Sequence, residues 1–248
     1  LNVYFEIGIT EAKNRPLIML AHDNEDLSRL LAGNRAIFYE NSIRGSTNLR
    51  KLLREQIEFV QRSSNVFREA PYQEISGKDC VIVVAETKTG KEAHKSIILP
   101  ALKNFTFDTQ QIWDLYQKNK AKDVTRSIKE HLRAAEIIVI DLSGADENVY
   151  YLGGYAYGLN RYPIFLMDKK EDIPFDLRAI GKILYSTETK KESESAKKEL
   201  VNSIQASMKA EGILPDGETT ESWKKQPKTK PAPIKSTKRG RKVAKRSK

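Results

Sequence analysis

Residues 137–154 read IIVIDLSGADENVYYLGG, and this stretch decides the fold. The β-branched run that ends at Asp141 is typical of a strand buried on both faces. A polar turn follows, and the pattern predicts a helix that begins at Asn148. Upstream, Cys80–Ala85 is a second buried strand by the same criterion. Helical patterns at Lys91–Leu102 and from a capping Asp123 to about Ala135 separate the two strands. Alternating strands and helices predict a parallel sheet covered on both faces.

The residues after this stretch occur twice in the chain. Residues 2–39 match residues 148–185 at an offset of 146 with 13 identities and no gap, where chance gives about two or three. The identities include Asn2-Val3-Tyr4 on Asn148-Val149-Tyr150 and Asn14-Arg15 on Asn160-Arg161. We therefore expect one α/β unit to be present in two copies.

Each copy predicts a helix, two strands and a closing amphipathic helix. In the first copy these are a helix from Asn2 to near Arg15, strands at Leu17–Ala21 and Ala36–Tyr39, and a helix at Ser46–Gln61 with a Ser46-Thr47 capping signal. In the second copy they are a helix from Asn148 to near Asn160, strands at Ile164–Met167 and Lys182–Tyr185, and a helix at Glu192–Lys209.

The two copies differ in their first half. Only the second copy contains the segment from Cys80 to Asp141, and its equivalent in the first copy would lie before Leu1. We expect the chain to be the C-terminal part of a longer protein. The predicted organisation is the C-terminal half of a first unit at 1–75, a complete second unit at 76–212, and a tail at 213–248.

Net charge and composition limit the class of protein and the kinds of site that the chain can contain. The net charge of the 248-residue chain is +10, but Lys224–Lys248 carries +12 without an acidic residue, which leaves −2 for the rest. This tail has too few apolar residues to form a core and is expected to be disordered. A single cysteine and the absence of a long apolar run predict a cytoplasmic protein without a membrane partner. One Cys and three scattered His argue against a structural zinc site.

Several motifs of the second copy lie where a parallel sheet binds its ligands, at the junction of strand C-termini and helix N-termini. Together they resemble the nucleoside 2-deoxyribosyltransferase-like family, whose relatives include the TIR-like N-glycosidases. The motifs are Asp141-Leu142-Ser143-Gly144, Asn148-Val149-Tyr150-Tyr151, Ile173–Arg178, Gly90-Lys91 with His94, and Ile98–Leu102. The resemblance covers about Lys78–Lys209 and, at the offset, Asn2–Gln61. It implies a flavodoxin/Rossmann-like parallel sheet in a tandem repeat, no cofactor, a nucleoside or nucleotide as ligand, and a homodimer.

The resemblance also implies site residues. In the family, a Glu after the aromatic pair attacks or stabilises the anomeric carbon of the sugar. That position is Glu6 in the first copy and Leu152 in the second, so the second copy lacks the catalytic carboxylate. The implied substrate-binding residues are Asn2, Tyr4, Asp141, Ser143, Asn148 and Tyr150.

Two functions remain open at this point. The first is cleavage or transfer of an N-glycosidic bond, with the second unit serving for binding or dimerisation. The alternative is a nucleotide-sensing module without catalysis. Read without the resemblance, Glu6 is an ordinary acid in a first helical turn. The tyrosines are then core-edge aromatics, and Gly154 and Gly158 let their helix approach the sheet closely.

Two basic motifs have separate interpretations. Lys88-Thr89-Gly90-Lys91 lacks the first Gly and the Ser/Thr of an ATP-binding P-loop, which argues against ATP hydrolysis. In the tail, Lys238, Arg239, Arg241 and Lys242 surround Gly240 and resemble the core of an AT-hook, which inserts into the minor groove of A·T-rich DNA. Nonspecific, weak contact with DNA or RNA phosphates and simple solvation are the alternatives.

Overall fold

The computed structural model describes residues 1–22, 27, 30–31, 36–63, 79–114, 124–161 and 163–214. Four elements lie in the first 63 residues: α1 (Asn2–Ala12), β1 (Met19–His22), β2 (Ala36–Tyr39) and α2 (Ile43–Ser63). The predicted cap Asp123 and the tail beyond Leu214, with Lys238, Arg239, Arg241 and Lys242, lie outside the described residues.

Residues 79–214 form the larger part of the structure. In chain order the elements are β3 (Asp79–Val84), α3 (Lys88–Ala93), a π-helical turn (His94–Ile98), α4 (Leu99–Leu102), β4 (Asp108–Gln111), α5 (Val124–Ala134), β5 (Ile137–Asp141), α6 (Glu147–Gly158), β6 (Ile164–Asp168), a 3-10 turn (Phe175–Leu177), β7 (Lys182–Tyr185) and α7 (Lys190–Ala210). The five strands are parallel, in the order β4-β3-β5-β6-β7. The predicted α/β class, a parallel sheet with helices on its faces, is confirmed. None of the described helices is long and apolar enough to cross a membrane.

The sheet is buried on both faces because its central strands are apolar at nearly every position. Val81, Val83, Ile138 and Ile140 pack in one cluster with side chains of α1, α5 and α6. The alternate residues of the same strands pack in a second cluster with α3, the π-helical turn, α4 and α7. Continuous apolar strands of this kind are what a parallel sheet between two helical layers requires.

The first 63 residues contain a separate two-stranded sheet. β1 pairs in parallel with β2 in the register Met19↔Ala36. β6 pairs with β7 in the register Phe165↔Lys182, which is the same register at numbers 146 higher. Asn14 after α1 and Asn160 after α6 both have positive φ, at 50° and 56°. Asn tolerates this left-handed backbone better than most residues, which explains the Asn-Arg pair found at both helix ends.

Helices α1 and α6 pack directly against each other through glycines. A Cβ at Gly8 would overlap the carbonyl oxygen of Tyr151, and a Cβ at Gly154 would overlap that of Phe5. A Cβ at Gly158 would come within 2.8 Å of Ala12. The expectation that Gly154 and Gly158 bring their helix to the sheet is therefore wrong. Their neighbour is α1, a contact that periodicity within one segment cannot reveal.

Contacts between α1 and α6 occur in reciprocal pairs. Gly8 contacts Tyr151, and Gly154 contacts Phe5, which are the same two positions with the helices exchanged. The ring of Phe5 lies 6.0 Å from that of Tyr157, and the Tyr151 hydroxyl donates to the Glu11 carboxylate, again at exchanged positions. Such reciprocity is the mark of an isologous, two-fold interface.

Other differences from the predicted elements have local causes. β4 was not predicted because its four residues, Asp108–Gln111, are all polar; it forms by pairing with β3 at the edge of the sheet. α2 begins at Ile43 and not at Ser46, since the hydroxyl of Ser42 accepts a hydrogen bond from the amide of Gly45 at 2.9 Å. The hydroxyls of Ser46 and Thr47 instead bond back to the carbonyl of Ile43.

Candidate functional site

The strand order of the larger sheet reverses between β3 and β5. In open parallel sheets, the crevice at this point, beyond the carboxyl ends of the two strands, is the usual ligand site. Here it is bordered by Thr87, three residues after β3, and by residues 142–146 between β5 and α6. Four of the predicted binding residues lie at this end of the sheet, because Asp141 and Ser143 follow β5 while Asn148 and Tyr150 belong to the first turn of α6.

Asp141 is the centre of a buried polar cluster. Its Oδ1 accepts hydrogen bonds from the amide and the hydroxyl of Ser143, at 3.1 and 2.6 Å. Its Oδ2 accepts from the hydroxyl of Tyr185 at 2.9 Å. The Ser143 oxygen in turn accepts from the amide of Asp168 at 2.8 Å. Asp141 and Ser143 have no solvent-exposed surface, so the cluster joins the ends of β5, β6 and β7 from within.

Burial controls the protonation of these groups. Desolvation raises the pKa of Asp141 from 3.8 to about 6. The hydrogen bonds from Ser143 and Tyr185 lower this pKa, but their effect is smaller than that of desolvation. Burial also raises the pKa of Tyr150 to about 12, and the negative charges of Glu171 and Asp141 act in the same direction. Tyr150 and Tyr185 are therefore neutral hydrogen-bond donors at physiological pH.

Three backbone amides in the turn after β5 and at the start of α6 donate to carboxylates of the protein. The amide of Gly144 donates to Glu171 at 2.6 Å. Those of Asn148 and Val149 donate to the side chain of Asp146, which caps α6. Helix N-termini bind phosphate through such amides. In this unit the same donors are paired with acidic side chains, whose charge would also repel a phosphate.

Side chains narrow the crevice. A Cβ at Gly144, whose φ is +87°, would lie 2.7 Å from the methyl group of Thr87, so the two loops are in contact. Tyr150 is only 1% exposed. Shallow depressions exist elsewhere, one of them along α3 between Lys88, Lys91 and Lys95. The contact between Thr87 and Gly144 and the burial of Tyr150 narrow the described part of the crevice between β3 and β5.

The two asparagines at equivalent positions, Asn148 and Asn2, differ in their hydrogen bonding. The side-chain oxygen of Asn148 accepts from the amide of Leu30 at 3.3 Å, although Leu30 is 118 residues away. At the corresponding position in α1, the side-chain oxygen of Asn2 is buried and has no hydrogen-bond partner among the described residues. Tyr4 is half-buried on the same helix and packs at the border of the core.

Glu6 and Leu152 occupy equivalent positions in very different surroundings. Glu6 is exposed on α1, next to Val3, which is 64% exposed. Leu152 is completely buried in the cluster that covers one face of the larger sheet, and Val149 beside it is buried as well. α1 thus presents to solvent the helix face that α6 presents to its sheet.

Sequence reasoning missed the partners of Asp141. Tyr185, Glu171 and Asp168 were not predicted as parts of this cluster, because they lie at or just after the ends of β6 and β7, far from Asp141 in sequence, and none belongs to a predicted motif. The repeat held a clue to two of them, since Tyr39 matches Tyr185 and Glu25 matches Glu171. The predicted nucleic-acid-binding residues of the tail lie outside the described part of the chain.

The chain matches no known protein-family model, and no curated protein is detectably similar to it.

Proposed function

We propose that the protein acts on the N-glycosidic bond of a nucleoside or nucleotide, which it cleaves or transfers, and that Glu6 supplies the catalytic carboxylate. In this proposal the chain contains one α/β unit twice. The copy with Glu6 performs the chemistry, and the copy with Leu152 is a non-catalytic partner. The single observation behind this assignment is the contrast at the equivalent positions, an exposed Glu6 on α1 and a fully buried Leu152 on α6.

Three structural features support the duplication. β1–β2 and β6–β7 pair in the same register at an offset of 146 residues. α1 and α6 each end before a left-handed Asn, Asn14 and Asn160. The two helices also contact each other through reciprocal positions, as two copies of one subunit do across a two-fold axis. The predicted dimer interface would then be internal to the chain.

The position of Glu6 favours a functional carboxylate. In a complete unit this position faces the sheet, as Leu152 does, and a charged side chain would be withdrawn from water there. Burying a carboxylate costs several kcal/mol unless it is paired. A glutamate is therefore a poor choice for packing alone, whereas a desolvated carboxylate beneath a ligand is common in active sites.

The chemistry requires a negative charge close to the sugar. When the bond from C1′ to the base nitrogen breaks, its electron pair leaves with the base and positive charge develops on the sugar. The carboxylate of Glu6 would stabilise this charge or bond to C1′ as a glycosyl ester. Water then gives the free sugar, and a second base gives the transferred product.

The second unit is best explained as a non-catalytic partner. Thr87 and Gly144 are in contact across its crevice, three amides of its turn and helix start are paired with Glu171 or Asp146, and Leu152 has no ionisable group. Its remaining role would be to hold α1, and with it Glu6, through the contacts with α6.

Base release tests the enzymatic proposal. The protein in its natural full length is incubated with a panel of nucleosides, deoxynucleosides and nicotinamide nucleotides, and free base is measured by chromatography. Glu6→Gln should lower the rate at least about a hundredfold, the scale on which a positioned catalytic group acts. Glu58→Gln, an exposed change on α2, is the matched control and should have no effect. Equal rates for Glu6→Gln and the unchanged protein would refute the assignment.

The alternative is a nucleotide-sensing module without catalysis. Calorimetry with the same panel separates the two functions. Saturable binding without base release, unchanged in Glu6→Gln, would favour the sensor. Since its amides are already paired with carboxylates, the described crevice of the second unit should show no preference for phosphorylated ligands.

A further inference from the structure

Three apolar side chains of the first 63 residues are exposed although their counterparts are buried. Val3 is 64% and Leu20 is 47% exposed, whereas Val149 and Leu166 are fully buried. Ile57 on α2 is 44% exposed. The closing helices α2 and α7 correspond at an offset of 147 residues and not 146, because their capping residues, Ser42 and Thr189, are 147 residues apart. This offset gives the counterpart of Ile57. That counterpart, Ile204, is fully buried.

The second unit shows what covers these positions. Val149 packs in one cluster with residues of β3 and β5, and Leu166 and Ile204 pack in the other with β3, β5 and the helical segment 88–102. β5 also occupies one edge of β6, in the register Val139↔Ile164 and Asp141↔Leu166. The equivalent strand, β1, pairs with β2 and with no other strand of the described residues.

We propose that the free edge of β1, the Val3–Glu6 face of α1 and the apolar stripe of α2 form one docking face for a strand-and-helix segment. This inference rests on the proposed duplication but not on the proposed chemistry. The occupant resembles residues 79–141: a parallel strand with β-branched residues on both faces, accompanied by a helix over Leu20 and Ile57. The strand must be apolar on both faces because it lies between α1 on one side and α2 on the other.

Among the described strands of the larger sheet, none that is apolar on both faces has an unpaired edge to offer from a second copy of this chain. β3 is paired on both edges, by β4 and β5, and β5 is paired by β3 and β6. The two edge strands do not fit an apolar face on both sides: β4 (Asp108–Gln111) is polar throughout, and β7 carries Lys182 and the exposed Leu184 on one of its faces. The occupant is therefore a separate apolar segment whose strand is still unpaired.

The docking face can be tested by fusing to the chain a copy of the segment that the occupant resembles. A copy of residues 79–146 is joined directly to Leu1 of the full chain, since Leu1 stands at the position of Glu147. The fused copy carries Cys80→Ser, and the natural Cys80 is fully buried, so a thiol reagent reports only on an introduced cysteine. Leu20→Cys probes the docking face. Phe38→Cys is the matched control, because Phe38 is 48% exposed and its counterpart Leu184 stays 41% exposed in the complete unit.

We expect the fusion to slow the labelling of Leu20→Cys at least about tenfold and to leave Phe38→Cys unchanged. A fused segment with Ile138→Asp and Ile140→Asp should give no protection, because these residues fill the cluster on the α1 side. Unchanged labelling of Leu20→Cys would overturn the inference. Equal slowing of both cysteines, or protection by the Asp-substituted segment, would overturn it as well.

No nucleoside enters this experiment. If Glu6→Gln leaves base release unchanged while Leu20→Cys is protected, the proposed chemistry fails and the docking face stands. If Glu6→Gln lowers base release while the fusion leaves the labelling of Leu20→Cys unchanged, the docking face is refuted and the proposed chemistry stands.

Discussion

Asp141 shows how one buried carboxylate can join the ends of neighbouring strands through hydrogen bonds. Its carboxylate accepts three hydrogen bonds, two from Ser143 and one from Tyr185, and it is inaccessible to solvent. The motif that contains it was predicted to bind substrate. In the described structure, Asp141 and Ser143 bond to each other and to residues of β6 and β7, and their role in substrate binding stays a prediction.

The raised pKa of Asp141 predicts a pH-dependent stability. Desolvation raises the pKa from 3.8 to about 6, so between these values the folded protein binds a proton that the unfolded chain has lost. The free energy of unfolding should therefore fall as pH rises from 4 to 6 and level off above 6. The loss is about 3 kcal/mol, because one pKa unit corresponds to about 1.4 kcal/mol.

Asp141→Asn isolates this effect, because the amide does not titrate. Urea unfolding of both proteins at several pH values gives the difference between their free energies of unfolding. The unchanged protein should lose stability relative to Asp141→Asn as pH rises through this window. A difference that is constant from pH 4 to 7 would show that Asp141 has an ordinary pKa.

At the scale of elements, the packing of α1 on α6 depends on two glycines that meet backbone. We expect Gly154→Ala to destabilise the protein by about 1–3 kcal/mol, as overpacking does, because the new methyl group would overlap the carbonyl of Phe5 and push the helices apart. The measurement is the free energy of unfolding by chemical denaturation.

The neighbouring residue gives a control on the same helix. A Cβ at Gly153 would have its nearest contact at 3.4 Å, with the ring of Phe165, which is ordinary van der Waals distance. Gly153→Ala should be neutral or stabilising by up to about 1 kcal/mol, since alanine favours a helix more than glycine does. Equal destabilisation by both changes would contradict the close helix contact.

The elements themselves were largely predictable, and their partners were not. Cys80–Ala85 and Ile137–Asp141 were recognised as buried strands because continuous β-branched runs have few other uses. β4 was missed because its polar residues form a strand only through pairing with β3. Neither the contact of Gly154 with Phe5 nor the bond from Tyr185 to Asp141 leaves a local pattern, since each joins residues at least 44 apart.

At the scale of the whole molecule, charge is divided unevenly. Lys224–Lys248 carries +12, and the remainder of the chain carries −2. Any affinity for nucleic acid should therefore reside in the tail. Deleting Lys224–Lys248 should abolish binding to duplex DNA at low salt, as measured by fluorescence anisotropy. In the unchanged protein the logarithm of the affinity should fall linearly with the logarithm of salt concentration, because released counterions drive the binding.

Charge-conserving substitutions distinguish phosphate contact from minor-groove insertion. Arg239→Lys with Arg241→Lys keeps the tail at +12 but removes the guanidinium groups, which narrow A·T-rich grooves attract strongly. For nonspecific phosphate contact, which we expect because the flanking prolines of an AT-hook are missing, affinity should change less than about twofold on any duplex. A drop of about tenfold confined to A·T-rich DNA would instead identify Arg239-Gly240-Arg241 as an inserting hook. Binding that survives deletion of Lys224–Lys248 would move the interaction to the folded body, whose net charge gives no reason to expect it.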